Sequence, residues 1–225
     1  MANKNGKVVT TTICMLRHAE VDVSWRGRIY GCLDVPLSPE GREQSLRAAA
    51  ALAGVPFAAV VSSGLARAEH TAAGLPTDGP REQDARFVEI DRGDWAGWTE
   101  AEIETSSPGG WREFWDSGGT KPPPGGESLE AVDERVVAAL DDHANRAHAS
   151  AGPIAIVAHR WVLRVAAARA LGWPAASCAK IDLPYSGMLV LEWPRNAGPT
   201  ARPSAAGARL ITLSGAAHAG WYAQA

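Results

Sequence analysis

Short apolar segments alternate with longer amphipathic ones along most of this chain, and this alternation limits the fold more than any other feature of the sequence. Residues 8–16 are rich in β-branched side chains, which predicts a strand. Ser38, Pro39 and Glu40 then supply a hydroxyl cap, a proline at the first helical position and a carboxylate in the first turn. They predict a helix that begins there and ends near Ala53.

The same alternation continues towards the end of the chain. Strands are predicted at 58–61, 86–90, 154–158, 188–193 and 209–213, and helices at 67–73, 127–149 and 161–171. Strands and helices that alternate in this way form a mainly parallel sheet with helices on both of its faces. We therefore predict an α/β fold.

Residues 91–126 interrupt the alternation with many glycines and prolines and with Trp95, Trp98, Trp111 and Trp115. The segment is too aromatic for a disordered linker and too often broken by glycine for one long helix. We predict a partly helical insertion that covers one end of the sheet. We expect Trp95 and Trp98 to pack the insertion onto the sheet; the alternative for Trp111 or Trp115 is to face a cleft and stack on a planar ligand group.

The composition argues against several classes of function. With 22 Lys and Arg against 25 Asp and Glu, the net charge is -3, so there is no overall positive field for a nucleic acid or an anionic membrane. Cys14, Cys32 and Cys178 are odd in number and never spaced as CxxC, which is unfavourable for a disulfide framework. The N-terminal residues lack the apolar core of a signal peptide, and no run approaches the roughly 18 apolar residues of a membrane span. We expect a cytoplasmic protein.

Polar and charged side chains lie at or just beyond the ends of four predicted strands. Because ligands bind at the carboxyl ends of parallel strands, we expect these side chains to share one pocket. The pocket would contain two imidazoles, at least two guanidiniums and a carboxylate. The residues concerned are Arg17-His18-Ala19-Glu20, the segment 62–67, Glu89 with Asp91 and Arg92, and His159-Arg160.

This set of groups fits phosphoryl transfer through a phosphohistidine. Two guanidiniums bind a dianionic phosphate through bidentate, charge-assisted hydrogen bonds. A histidine among cations resists protonation and keeps a lone pair for nucleophilic attack. A carboxylate protonates the leaving oxygen and later takes a proton from water. No cluster of metal ligands is evident, so we expect a reaction that needs neither metal nor cofactor, with the cations stabilising the transferred group.

The residues at these strand ends resemble the motifs of a known family. Leu16-Arg17-His18-Ala19-Glu20 is similar to the arginine-histidine-glycine signature of the histidine phosphatase superfamily, which includes the phosphoglycerate mutases. The resemblance continues in the family's order through the segments 27–38 (GRIYGCLDVPLS), 62–72 (SSGLARAEHTA), 89–97 (EIDRGDWAG), 124–128 (PGGES) and 158–164 (AHRWVLR).

The resemblance implies a role for each matching residue. His18 would be the nucleophile and Glu89 the proton donor and acceptor, with Asp91 and Asp94 as nearby alternatives to Glu89. The phosphate pocket would consist of Arg17, Arg67 and His159. The family's fold is a three-layer α/β/α sandwich, so we expect residues 1–225 to form one domain, with 91–126 as a lid and 194–225 as a peripheral C-terminal segment.

The sequence departs from the family pattern at three places. Ala19 replaces the usual glycine, and Ser24 stands where many members have an asparagine near the phosphate, so that its hydroxyl would have to replace an amide. Ala158 and Arg160 flank His159 where glycine and serine are common. The Arg160 side chain either points to solvent or adds a cation near the substrate.

The length and the motifs look closest to the phosphatase branch, in particular to the broad-specificity phosphatases and the α-ribazole phosphatases. The resemblance therefore implies a phosphomonoesterase for a small phosphorylated metabolite, with α-ribazole 5'-phosphate or another sugar or nucleoside phosphate as a candidate substrate. Two alternatives remain open: a phosphoglycerate mutase-type transfer, and a non-catalytic phosphate-binding regulatory protein. A homodimer is one option for the assembly.

Overall fold

A computed structural model describes residues 9–146, 152–195 and 207–217. Residue 8 of the first predicted strand, residues 147–149 of a predicted helix and most of the predicted C-terminal segment lie outside these ranges. In the described part of the chain, no helix has the length and apolarity needed to cross a lipid bilayer.

The centre of the fold is a mixed sheet of six strands in the order β3-β2-β4-β1-β5-β6. Strands β1 to β4 run parallel to one another, whereas β5 pairs antiparallel with β1 and β6 pairs antiparallel with β5. The predicted, mainly parallel sheet is therefore confirmed. The strands are β1 (Thr10–Arg17), β2 (Ala59–Ser62), β3 (Arg81–Gln83), β4 (Ile154–Ala158), β5 (Met188–Pro194) and β6 (Arg209–Ser214).

Helices cover both faces of this sheet. Because successive side chains of a strand point to opposite faces, each strand contributes to a core on either side. Ile13 and Met15 of β1 belong to the core that includes the later helices, whereas Cys14 and Leu16 belong to a second core with the earlier ones. The three layers confirm the predicted α/β sandwich. The helices are α1 (Pro39–Ala51), α2 (Ala66–Ala72), α3 (Glu100–Ser106), α4 (Gly110–Asp116), α5 (Leu129–Arg146) and α6 (Arg160–Ala170).

The prediction of a strand at 86–90 is wrong. Residues 85–87 form a 3₁₀ turn, and the third strand is the polar segment Arg81–Gln83 at the edge of the sheet. The Asp84 carboxylate caps the turn by accepting from the backbone N–H and the guanidinium of Arg86. Phe87 and Ile90 are fully buried in the core that contains α5, so their apolar character reflects burial rather than sheet pairing.

The predicted insertion at 91–126 is partly helical, as expected. It contains a 3₁₀ turn at Gly93–Trp95 followed by the short helices α3 and α4. Thr99 starts α3 with a capping box, in which its hydroxyl and the Glu102 carboxylate satisfy each other's backbone N–H groups. Phe114 of α4 is buried against Trp161 of α6, with ring centroids 5.6 Å apart, and this contact joins the insertion to the main core.

Candidate active site

A cavity of about 380 Å³ opens among the carboxyl end of β1, the start of α6 and the insertion. Its wall is rich in arginine and aromatic residues. Its lining residues include Arg17, Glu20, Asp22, Trp25, Arg26, Arg28, Tyr30, Glu89, Arg92, Trp111, Trp115, Arg160, Trp161 and Tyr185.

His18 directly follows β1 and is almost completely buried, with its ring centroid 5.6 Å from that of Tyr185 on the cavity wall. Its Nδ1 lies 2.7 Å from the carbonyl oxygen of Ala19. A carbonyl only accepts, so Nδ1 carries the proton and Nε2 keeps its lone pair. Burial, with the nearby positive charges of Arg67 and Arg17, holds the pKa of His18 well below its ordinary value of 6.5. His18 is therefore a neutral imidazole with a free nitrogen.

His159 follows β4, the strand next to β1, and its ring centroid lies 5.1 Å from that of His18. Its Nε2 lies 2.8 Å from the Ser63 hydroxyl, which comes after β2. Burial, followed by the charge of Arg67, keeps the pKa of His159 well below 6.5. The buried Nδ1 has no hydrogen-bond partner in the described part of the chain. A proton donated by Ser63 to Nε2 leaves the Nδ1–H free to donate to a ligand.

The guanidiniums of Arg17 and Arg67 are buried, and hydrogen bonds to backbone carbonyl groups of distant residues hold them in place. Arg17 donates from Nη1 to the carbonyl of Leu183 at 2.7 Å, and its guanidinium carbon lies 4.0 Å from the centre of the Tyr185 ring. Arg67 donates to the carbonyls of Leu33 and Gly31 at 2.6 and 2.7 Å.

The Nε atoms of Arg17 and Arg67 are buried and without a partner within the described residues. Buried polar groups of native proteins are nearly always hydrogen-bonded, and those that are not call for an explanation. An oxyanion that accepts from both Nε–H groups and from His159 provides one. The charges of Arg67 and Arg17 both act on His159, so the three donors belong to one cluster, and its chemistry suits a phosphate group.

Glu89 enters the site from a loop, not from the end of a strand as predicted. Its Oε1 accepts from the backbone N–H groups of Ile90 and Trp161 at 3.0 and 3.2 Å, and its side chain lines the cavity. The carboxylate of Asp91, one of the alternatives to Glu89, instead accepts from the N–H of Gly93 at 2.9 Å. The geometry thus favours Glu89 for proton transfer.

Of the two other residues predicted to lie near the substrate, Arg160 lines the cavity and Ser24 does not. Arg160 is the first residue of α6 and lines the cavity, which is the second of its two predicted orientations. Ser24 is exposed in a 3₁₀ turn, where its backbone N–H and its hydroxyl both donate to the Asp22 carboxylate at 3.0 and 2.6 Å. The structure does not bring Ser24 to the cavity wall, because Asp22 holds its hydroxyl.

Several residues of the wall have no role in the prediction from the sequence. Arg92 is a charged residue near the end of a predicted strand and lies within the 89–97 motif, a signal that could have assigned it to the site. Tyr185 lies in the loop before β5, and no local sequence signal marked it. The two Tyr hydroxyls of the wall, those of Tyr30 and Tyr185, lie 3.2 Å apart.

Trp95 and Trp98 have the expected packing role, and Trp111 and Trp115 take the alternative position at the cleft. Trp95 is buried in the core, and Trp98, Trp111 and Trp115 all pack against it, but Trp111 and Trp115 also line the cavity. Trp115 lies 5.6 Å from Trp161 between ring centroids. One side of the cavity is therefore an aromatic wall.

Comparison with known proteins gives the family. The model of the histidine phosphatase superfamily (branch 1) matches residues 13–202. A glucosyl-3-phosphoglycerate phosphatase of Mycolicibacterium vanbaalenii is 33% identical over 195 residues, which are 84% of this chain and 84% of that protein. The solved structure of a mycobacterial glucosyl-3-phosphoglycerate phosphatase has a TM-score of 0.70 at 28% identity and covers 93% of this chain and 99% of that one.

The α-ribazole phosphatase of Shigella flexneri has a TM-score of 0.73 and covers 90% of this chain and 96% of that one, but at 24% identity the likeness concerns the fold alone. The family match spans most of the chain, so the chain belongs to the histidine phosphatase superfamily. With phosphatases as its relatives, it is an enzyme of the phosphatase class of hydrolases. The family and the class predicted from the sequence are both confirmed.

Proposed function

We propose that the protein is a phosphomonoesterase that works through a covalent phosphohistidine on His18. Nε2 of His18 attacks the phosphorus atom, and a P–N bond forms while the P–O bond to the leaving group breaks. A protonated Glu89 gives its proton to the leaving oxygen. Glu89 then takes a proton from water, whose oxygen attacks the phosphorus, and the broken P–N bond returns its electron pair to His18.

The observation that carries this proposal is the state of His18. Its Nδ1 donates a hydrogen bond to the Ala19 carbonyl. Burial, together with the charges of Arg67 and Arg17, lowers its pKa. A neutral imidazole with a free Nε2 is a competent nucleophile towards phosphorus. The unpartnered donors of Arg17, Arg67 and His159 are suited to stabilising the transferred phosphoryl group.

The substrate that we propose is a phosphorylated sugar derivative. Flat aromatic rings of the wall, among them Trp111, Trp115 and Trp25, suit the apolar face of a sugar or a planar base. The relatives named glucosyl-3-phosphoglycerate phosphatase make a glycosylated phosphoglycerate the leading candidate. α-Ribazole 5'-phosphate is the second candidate and rests on the resemblance of the motifs. The proposal takes residues 1–225 as one domain, with 91–126 as its lid.

Hydrolysis of para-nitrophenyl phosphate by the purified protein and by His18→Ala tests the reaction. We expect turnover by the wild type and a loss of at least a thousandfold in kcat/KM in the variant, because the nucleophile is removed. His70→Ala is the matched control, since His70 is an exposed histidine on α2. Rapid quenching with a ³²P-labelled ester should trap an acid-labile adduct in the wild type and none in His18→Ala.

Product analysis separates this reaction from the alternatives. Release of inorganic phosphate supports the phosphatase, whereas isomerisation of a phosphoglycerate without phosphate release would indicate a mutase. Phosphate binding with equal, background turnover in the wild type and His18→Ala would indicate a non-catalytic binder and overturn the proposal.

A further inference from the structure

Four arginines of the cavity wall have no part in the mechanism above: Arg26, Arg28, Arg92 and Arg160. Arg26 is exposed, and Arg28 is exposed and donates to the carbonyl of Gly97 at 2.8 Å, whereas Arg92 and Arg160 each have a buried nitrogen without a partner among the described residues. Arg92 is 6% exposed, and its Nη1 has no partner among the residues that the structure describes. The Nε of Arg160 is buried and equally unpartnered there. Both side chains line the cavity. The donors that fit a phosphate, on Arg17, Arg67 and His159, are separate from these two.

Arg92 is held in place by aromatic rings rather than by an acid. Its guanidinium carbon lies 4.5 Å from the centre of the Phe114 ring and 5.3 Å from that of Trp161. Such stacking fixes the plane of the guanidinium and leaves its edge free for hydrogen bonds. A residue needed only to join the insertion to α6 would not have to be charged, and burial of the charge lowers the pKa of Arg92 to about 10.

The charges around Arg92 and Arg160 are mainly positive, which also favours an anionic ligand. Arg92, Arg160 and Arg164 influence one another electrostatically, and Glu89 is the carboxylate that acts on Arg92. Five guanidiniums line the cavity, those of Arg17, Arg26, Arg28, Arg92 and Arg160, against the three carboxylates of Glu20, Asp22 and Glu89. Beyond the phosphate donors, the cavity therefore has room for a further negative charge.

We infer that Arg92 and Arg160 form a second anion subsite, which binds a carboxylate carried by the same molecule as the phosphate ester. This inference rests on the proposed function and narrows its substrate class to phosphorylated sugar acids. Two planar guanidiniums suit a carboxylate because each can present parallel N–H groups to its two oxygens. A nucleoside-type monophosphate such as α-ribazole 5'-phosphate carries no second anion and would leave both donors unsatisfied.

Two esters that differ in one group test the subsite. 3-Phosphoglycerate and sn-glycerol 3-phosphate share a three-carbon chain and a primary phosphate ester, but the first has a carboxylate where the second has a hydroxymethyl group. We expect the wild type to favour 3-phosphoglycerate in kcat/KM by about ten- to a hundredfold, the usual effect of a charged hydrogen bond. Arg92→Gln and Arg160→Gln should each reduce this ratio about tenfold or abolish it, and Arg92→Lys should retain part of it.

The ratio compares two substrates on the same variant, so partial unfolding of Arg92→Gln cancels from it. Arg112→Gln is the control, because Arg112 is an exposed arginine on α4, the same helix that contributes Phe114. A wild-type ratio close to one would overturn the inference. So would a ratio that Arg92→Gln leaves at the wild-type value, since Arg92 would then only pack the insertion.

Calorimetric binding of both esters to the His18→Ala variant makes the inference testable apart from the reaction. The expected result is tighter binding of 3-phosphoglycerate by about tenfold, lost when Arg92→Gln is added. If no ester is hydrolysed but this preference is present, the proposed function fails and the subsite stands. If hydrolysis occurs and binding shows no preference, the subsite inference fails and the proposed function stands.

Discussion

The imidazoles of His18 and His159 lie 5.1 Å apart between ring centroids, at the ends of the adjacent parallel strands β1 and β4. Burial is the main reason that both have a pKa well below 6.5, and the charge of Arg67 adds to it in each case. Two protonated rings at this distance would repel each other and the neighbouring guanidiniums. The site therefore holds both histidines neutral, one as the proposed nucleophile and the other as the proposed donor to phosphate.

The first prediction follows from these lowered pKa values and concerns stability. Well above pH 6.5 both rings are neutral in the folded and the unfolded state. As the pH falls through 6.5, the unfolded state takes up protons that the folded state does not bind, so stability falls with the pH. Each histidine should lower the free energy of unfolding by about 1 kcal/mol between pH 6 and pH 5. Urea unfolding should show a smaller loss over this range in His159→Gln than in the wild type. His70→Gln, which changes an exposed side chain, is the control, and equal losses in His159→Gln and the wild type would contradict the prediction.

Ser63→Ala should weaken phosphate binding without removing a charged group. The Ser63 hydroxyl lies 2.8 Å from Nε2 of His159 and sets which of its nitrogens carries the proton. Without it, the proton is no longer confined to Nδ1, the proposed phosphate donor, and kcat/KM should fall about tenfold, mainly through KM. Steady-state kinetics with para-nitrophenyl phosphate will show this. Ser63→Thr, which keeps a hydroxyl, should recover much of the loss; a failure of Ser63→Ala to change KM would count against the assignment.

Glu89→Gln should discriminate between leaving groups. An alkoxide leaving group needs a proton, whereas para-nitrophenolate departs without one. The variant should therefore lose about a hundredfold or more in kcat/KM with sn-glycerol 3-phosphate and much less with para-nitrophenyl phosphate. Asp91→Asn is the matched control, because the Asp91 carboxylate accepts from Gly93. Equal losses with the two esters in Glu89→Gln would show that Glu89 is not the acid.

Trp115→Ala tests the aromatic wall. Trp115 lines the cavity and is packed against Phe114 and Trp161 at 5.6 Å between ring centroids. If its face stacks on a planar group, kcat/KM should fall more for an aromatic phosphate ester than for an aliphatic one, by about three- to tenfold. Trp98→Ala is a suitable comparison, since Trp98 packs against the core outside this cavity. Equal losses for both esters in Trp115→Ala would dismiss stacking.

Treatment with EDTA should leave the activity within about twofold of the untreated enzyme. Guanidiniums supply the positive charge in the proposed site, and no cluster of three metal-ligating side chains occurs among residues 9–146, 152–195 and 207–217. Assay of para-nitrophenyl phosphate hydrolysis before and after chelation and dialysis provides the measurement. A large loss that Mg²⁺ restores would show that the charge-stabilising groups are misassigned.

The linear sequence was sufficient to predict the α/β fold, the family and the convergence of His18, Arg17, Arg67 and His159. These residues follow strands or open helices, and the carboxyl ends of parallel strands must meet at one edge of a sheet. Local chemistry fixed the positions: β-branched runs predicted the strands, and Ser38 with Pro39 predicted the start of α1, where the Ser38 hydroxyl accepts from the Gly41 N–H at 2.8 Å.

Tertiary structure decided the features that depend on contacts between distant segments. Residues 86–90 look like a strand, but the Asp84 carboxylate turns the chain there. Arg160 points into the cavity, whereas Asp22 holds the hydroxyl of Ser24 away from it. Arg92 stacks on Phe114 and Trp161, which are remote from it in sequence. A periodic pattern specifies which face of a segment is buried, but the direction of one charged side chain depends on the partners that folding brings to it.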